Sequence, residues 1–223
     1  MADLTYIPRY SFDLFGLHLT VNTATLFNTW LVMAFLVIVA FLATRGLKQI
    51  PGPLQRIVEL YVSAMDRLVR DTLETTSRGY LPLIATMFVF LVVCNWLGII
   101  PGLEEPTRDL NTPLSLGIMG FVLTHFAAVR EKGIGKYLKE YAEPFFVMAP
   151  LNVIGELAKV ISISFRLFGN IMGGAIIIIV VSHMVYNLVL PPFLNAFFGL
   201  FVGTIQAFVF TMLTITYIAV ATK

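Results

Sequence analysis

From residue 144 to residue 222 the chain runs for 79 residues with three formal charges, Glu156, Lys159 and Arg166. Residues 167–222 carry none. A segment this apolar cannot cover a soluble core with a wetted surface. A membrane crossing takes about 20 apolar residues, so the stretch holds more than one, and Pro191 and Pro192 divide it. The rest of the chain agrees. Charged residues make up 13% of the 223, against about 25% in an ordinary soluble domain. That excludes a soluble enzyme, a disordered tail and a secreted disulfide scaffold. Cys94 is alone and cannot form an internal bridge. A net charge of +2 is too weak for nucleic acid to be a partner. The class that remains is an all-α polytopic protein of the lipid bilayer, read as a single membrane domain over 1–223.

Residues 1–23 read as a short retained tail on the outer side, with no apolar run of signal-peptide type. Residues 24–44 and 80–100 are the first two spans, each 21 residues without a charge. Residues 113–129 make a third span of 17, at the short limit. Between the first two, residues 53–74 place Leu54, Ile57, Val58, Tyr61, Met65, Leu68, Val69 and Leu73 at helical spacing, with charges elsewhere. This is an amphipathic interfacial helix. The segments 45–79 and 130–143 carry six and four Lys/Arg, whereas 101–112 carries one against three acids. The positive-inside rule therefore puts 45–79, 130–143 and the C-terminus in the cytoplasm and the N-terminus outside. Parity then demands two more crossings, 144–190 and 192–221, five in all. As helices, 156–190 and 192–221 reach about 52 and 45 Å. Against a hydrocarbon core of about 30 Å, they must tilt steeply or run along the interface. A tilted antiparallel hairpin follows, wrapped against something large.

Arg166 is the charge that such a span should not contain. On the insertion scale it costs about 2.5–3.5 kcal/mol at mid-helix. The apolar residues around it return about 6 kcal/mol, so the segment inserts with little to spare. A guanidinium stays charged and has five donors but no acceptor. It needs an anion, and no acid follows it in this chain. At helical spacing Arg166 shares a face with Gly155, Lys159, Ser162, Asn170 and Gly173, with Gly169 beside them. Gly199 and Gly203 repeat the small spacing on the next helix, where Gln206 is the one deep amide. A purely structural account packs the two helices by their glycines, joined by a Gln206–Asn170 hydrogen bond. Glu156 and Lys159 are an i,i+3 pair that can neutralise each other. His183 is either a proton relay or an interfacial histidine. His125 reads as packing, and Asn95 has no evident partner.

The string LAKVISISFRLFGNIMGG at 157–174 resembles the signature of the a subunit of F-type ATP synthases. CNWLGIIPG (94–102), PTRDLNTPLSL (106–116), PLNVIGE (150–156) and IQAFVFTMLTITYIA (205–219) follow the same family's order. The short N-terminal part is similar to the bacterial form, which implies the bacterial inner membrane. The resemblance implies that the missing anion comes from another chain. A ring of c subunits carries one essential carboxylate per hairpin and turns past the arginine matched by Arg166. That arginine attracts the arriving carboxylate and blocks leakage between two offset half-channels. One charge falling through 100 mV yields about 2.3 kcal/mol, so several steps drive each ATP. By the same match Asn170 and Gln206 accompany the arginine. Glu156 and Ser162 fall in the cytoplasmic channel, and Asn95 and His183 approach the outer one. The implied partners are the c ring, the b-subunit peripheral stalk and the rest of the synthase. The subunit is not itself catalytic for ATP, and no cofactor or metal is implied. Many relatives carry a titratable residue nine positions after the arginine or seven before the glutamine. Here those positions are Ala175 and Gly199. Protons and sodium both stay open as the coupling ion.

Two other classes compete. A secondary transporter would use Arg166 as a substrate-anion anchor, but such folds are built on internal repeats and the halves of this chain show none. An intramembrane hydrolase needs paired Asp, a Ser/His dyad or H-E-x-x-H, none of which the spans contain.

Overall fold

The computed structural model describes residues 9–14, 17–48, 50–73, 78–100, 102–142, 149–184 and 190–222. The spans form helices α1 (Thr23–Thr44), α3 (Leu81–Leu97) and α4 (Asn111–Lys132). The long hairpin forms α6 (Ala149–Met184), then α7 (Leu190–Ala196) leading into α8 (Gly203–Thr222). α1, α4, α6 and the rod Leu190–Thr222 are each long and apolar enough to cross a membrane. α3, with 17 residues, spans about 26 Å. α6 has 36 residues and reaches about 54 Å. It starts at Ala149, ahead of the 156 taken from the sequence, and residues 144–148 and 185–189 of the expected hairpin lie outside the described residues.

Three features were not anticipated. Residues of the N-terminal tail pair as an antiparallel hairpin of β1 (Arg9–Leu14) and β2 (Leu17–Asn22), with Tyr10 opposite Val21 and Phe12 opposite Leu19. The physical reason is a short period-two alternation, Tyr10, Phe12, Leu14 and then Leu17, Leu19, Val21. α4 also outruns its apolar stretch by taking in the charged residues Arg130, Glu131 and Lys132. It ends at Gly133, whose φ of 81° needs a glycine. The chain then turns into a short amphipathic helix, α5 (Ile134–Ala142), where the sequence suggested a loop.

The core lies between α3, α4, α6 and α8. Leu91, Leu116, Leu167, Ala207 and Phe210 meet there. α2 (Pro53–Leu73) docks on this bundle through Val69 and Leu73, which join Ile84, Ala127, Ile215 and Ile218. Its Tyr61 hydroxyl donates to the Ala85 carbonyl at 2.5 Å. α1 packs more loosely through Val32 against Cys94 and Leu97. Its Phe27, Trp30, Val37, Ile38 and Phe41 stay exposed, as suits a helix solvated by lipid on most sides.

Candidate functional site

α6 divides its residues sharply. Ile163, Ser164, Leu167, Ile171 and Gly174 are buried in the bundle. Gly155, Ser162, Arg166, Gly169 and Asn170 are exposed. A Cβ added to Gly155, Gly169 or Gly173 would meet open space. Among the described residues no side chain bonds or pairs with the Arg166 guanidinium, and the acid nearest in α6, Glu156, is taken by Lys159 at 2.5 Å. The structure thus leaves a bare cation on an outward face of small residues.

Asn170, one turn on, donates through Nδ2 to Gln206 Oε1 of α8 at 2.6 Å. Gln206 is 4% exposed, and its own Nε2 is buried without a partner. An unpaired buried donor is costly, and this one has no accessible surface toward the outward face.

The glycines do not pair as the structural account expected. Side chains at Gly169 and Gly173 would point into open space, whereas Gly199 and Gly203 pack on Ile99 and Asn95 at the end of α3. A Cβ at Gly199 would come 2.7 Å from Ile99 Cγ1, and one at Gly203 would come 2.8 Å from Asn95 Cβ. Gly174 accommodates the Phe198 ring instead. Asn95 does have partners, both distant in sequence. Its Nδ2 donates to the Gly203 carbonyl at 2.8 Å, and its Oδ1 accepts from Thr107 Oγ1 at 2.7 Å. Trp96 Nε1 donates to Thr204 Oγ1, and Asn195 Nδ2 donates to the Gly98 carbonyl, both at 2.9 Å. These bonds clamp α3 on either side of a π-helical segment, Phe197–Val202, that joins α7 to α8. Such segments are frequent at functional sites.

At the N-terminal end of α6 a cleft of about 350 Å³ opens between α4, α5, α6 and α8. Its polar lining is Thr124, His125, Tyr137, Asn152, Glu156, Lys159 and Tyr217. Lys159 is held at once by Glu156 and by the Tyr217 ring, 5.3 Å from its Nζ. A narrower pocket continues from Glu156 and Lys159 past Gly117, Gly120 and Thr214 to Phe210. Beyond it lie the packed Leu167 and Ala207, with the Asn170–Gln206 pair on the far side. His125 packs on Phe121, ring centroids 3.8 Å apart, but it also lines the cleft. Neither this second contact nor Tyr217 could be read from spacing within one helix. His183 stands apart: it is exposed, and its Nδ1 lies 2.8 Å from the Ile179 carbonyl of its own helix. No group of three or more metal-ligating side chains occurs among the described residues.

The model of the ATP synthase A chain family matches residues 26–219. The chain belongs to that family. It is 39% identical to the ATP synthase subunit a of Moorella thermoacetica, over 88% of this chain and 89% of the relative. It is 38% identical to subunit a 3 of Pelobacter propionicus, over 91% and 89%. It is 37% identical to subunit a 2 of a Bradyrhizobium species, over 96% and 95%. The resemblance drawn from the FRLFGN string therefore extends along nearly the whole chain. The chain is thus a membrane-sector subunit of the ATP synthase subunit a family.

Proposed function

We propose that this chain is the stator subunit that couples ion flow to rotation of the c ring in a rotary ATP synthase of the bacterial inner membrane. The observation that carries this reading is the unpaired Arg166 on an exposed, small-residue face of an overlong helix. A cation there is tolerable only if an anion arrives from outside the chain. A c-subunit carboxylate supplies it, and Gly169 and Gly173 let that partner's backbone come close. Arg166 draws the carboxylate into its ionised form and releases its proton or sodium ion. Its fixed charge stops ions from passing straight between the two half-channels. Asn170 flanks it on the exposed face, and Gln206 lies behind Asn170 as its hydrogen-bond acceptor. Ser162 lies one turn away on the same face.

The cleft holding Glu156 and Lys159 is the cytoplasmic half-channel, since it opens beside the basic segment 130–143. The seam at Asn95 belongs to the outer half-channel, with Asn95 fixing its wall. The N-terminus then lies outside and the C-terminus inside. The subunit handles no ATP itself. The b-subunit peripheral stalk holds it against the torque.

The test is Arg166→Ala in the assembled complex. ATP-driven ion pumping should vanish while the complex stays intact. Arg166→Lys should also fail largely, because a point charge does not replace the planar fork. Full coupling in Arg166→Ala would end the reading. ATP hydrolysis with and without sodium at several pH values would identify the ion, sodium stimulation that grows at alkaline pH marking a sodium motor.

A further inference from the structure

We propose that Glu105 is the proton-relaying carboxyl at the outer mouth of the seam between α3 and α8, so that the outer route begins at a loop acid rather than at an acid on a spanning helix. The proposal rests on the stator reading above. Three observations carry it.

The first is position. The Glu105 carboxyl fills the notch that a side chain at Gly98 would occupy. The Gly98 carbonyl in turn accepts from Asn195, at the head of the π segment. From there the contacts continue inward through Gly199 on Ile99 and Gly203 on Asn95. Gln206 follows within one turn of Gly203 and ends the series on its unpartnered, deeply buried Nε2. The seam thus has an acid at one end and an unsatisfied donor at the other.

The second is how the acid is held. The loop around it is tucked into the bundle: Pro106 is buried, and Thr107 is fully buried with its hydroxyl on Asn95. The preceding carbonyl, of Glu104, accepts from Asn28 of α1 at 2.8 Å. A solvated loop acid would need none of this anchoring.

The third is the lack of a substitute. Residues 167–222 hold no formal charge, Ala175 and Gly199 cannot titrate, and His183 is turned to its own helix. The groups that face Glu105 are few. Arg108 favours its ionised form and Glu104 opposes it. At the end of α3 it meets Gly98, which is uncharged. On α1, Thr25 is engaged by Asp109 and Asn28 by the Glu104 carbonyl. Burial pushes the Glu105 carboxyl above the ordinary glutamate range, against the opposing pull of its own backbone N–H and of Arg108. It therefore holds its proton to a higher pH than a free glutamate does, which suits a group that must load and unload.

The relay step is a proton transfer in two halves. A hydronium ion from the outer face forms an O–H bond with the carboxylate and leaves water. That O–H bond then breaks toward a water molecule on the inner side of Glu105, which takes the proton and regenerates the carboxylate.

The experiment uses the intact complex in proteoliposomes and compares Glu105→Gln, Glu105→Asp and Arg166→Ala. Passive proton flux through the membrane sector and ATP-driven pumping are both followed against outer pH. Glu105→Gln should cut flux by about tenfold or more and lose the acid-side titration seen in the parent. Glu105→Asp should retain much of the flux, with its profile moved to lower pH, since aspartate is the stronger acid. Parent-like flux and pH profile in Glu105→Gln would overturn the proposal. So would equal loss in both Glu105 variants of an assembled complex, which would mark a packing role, or flux in the parent carried by sodium alone. Arg166→Ala separates the two levels. If it is dead while Glu105→Gln is normal, only the relay is wrong. If it pumps, the stator reading fails as well.

Discussion

Asn170 and Asn95 are the same residue type on different helices, and the protein uses them in opposite ways. Asn95 is wholly buried and bonded at both ends, to Gly203 and Thr107. Asn170 is exposed, makes one bond, and leaves Gln206 half satisfied. The glycines repeat the contrast. Gly199 and Gly203 are filled by their neighbours, and Gly169 and Gly173 face nothing. One surface is finished within the chain. The other, with Arg166 at its centre, is left open among the described residues. The difference teaches that glycine and asparagine content alone does not tell a packing seam from a working face. What tells them apart is whether each polar atom and each missing side chain already has its complement.

Substitutions can break or sharpen this contrast. The largest stability effect falls at Asn95. Asn95→Ala removes two hydrogen bonds and strands a hydroxyl and a carbonyl. It should cost about 1–3 kcal/mol, on a scale of about 0.6–1.7 kcal/mol for each bond in a membrane protein. Asn170→Ala should cost less than half of that in the same thermal-unfolding measurement on the purified membrane sector, yet impair pumping more. A reversed order would mean that Asn170 is the structural residue. Next in size is Gly203→Ala, whose methyl must displace Asn95 and should cost about 1–3 kcal/mol by overpacking. Gly169→Ala meets no neighbour, so the helix should gain up to about 1 kcal/mol from propensity, while ATP-driven pumping slows because the gap to the ring narrows. Equal destabilisation at both glycines would show that the two faces are not different in kind.

The open face of α6 was legible in the sequence because it lies within one helix. Arg166, Ser162, Asn170 and the glycines recur at 3.6-residue spacing, and a charge in an uncharged stretch announces itself. The closed seam was not legible. Asn95 and Gly203 are 108 positions apart, and no local period records that they touch. The same holds for the cleft, where His125 of α4, Tyr137 of α5 and Tyr217 of α8 meet Lys159 of α6. Length and apolar content marked the spans, but charge misled at the end of α4, since a helix leaving the bilayer continues through charged residues until Gly133 stops it. The β-hairpin shows in the sequence only as a period-two alternation over six residues on each side of residues 15–16.

The central claim concerns what faces Arg166 once the complex is whole. A high-resolution structure of the assembled membrane sector, read at that one guanidinium, tests it most directly. The account predicts a carboxylate of a neighbouring proteolipid opposite Arg166, with Gly169 and Gly173 against that chain's backbone. Arg166 turned to lipid headgroups, or paired with an acid of its own chain, would contradict it.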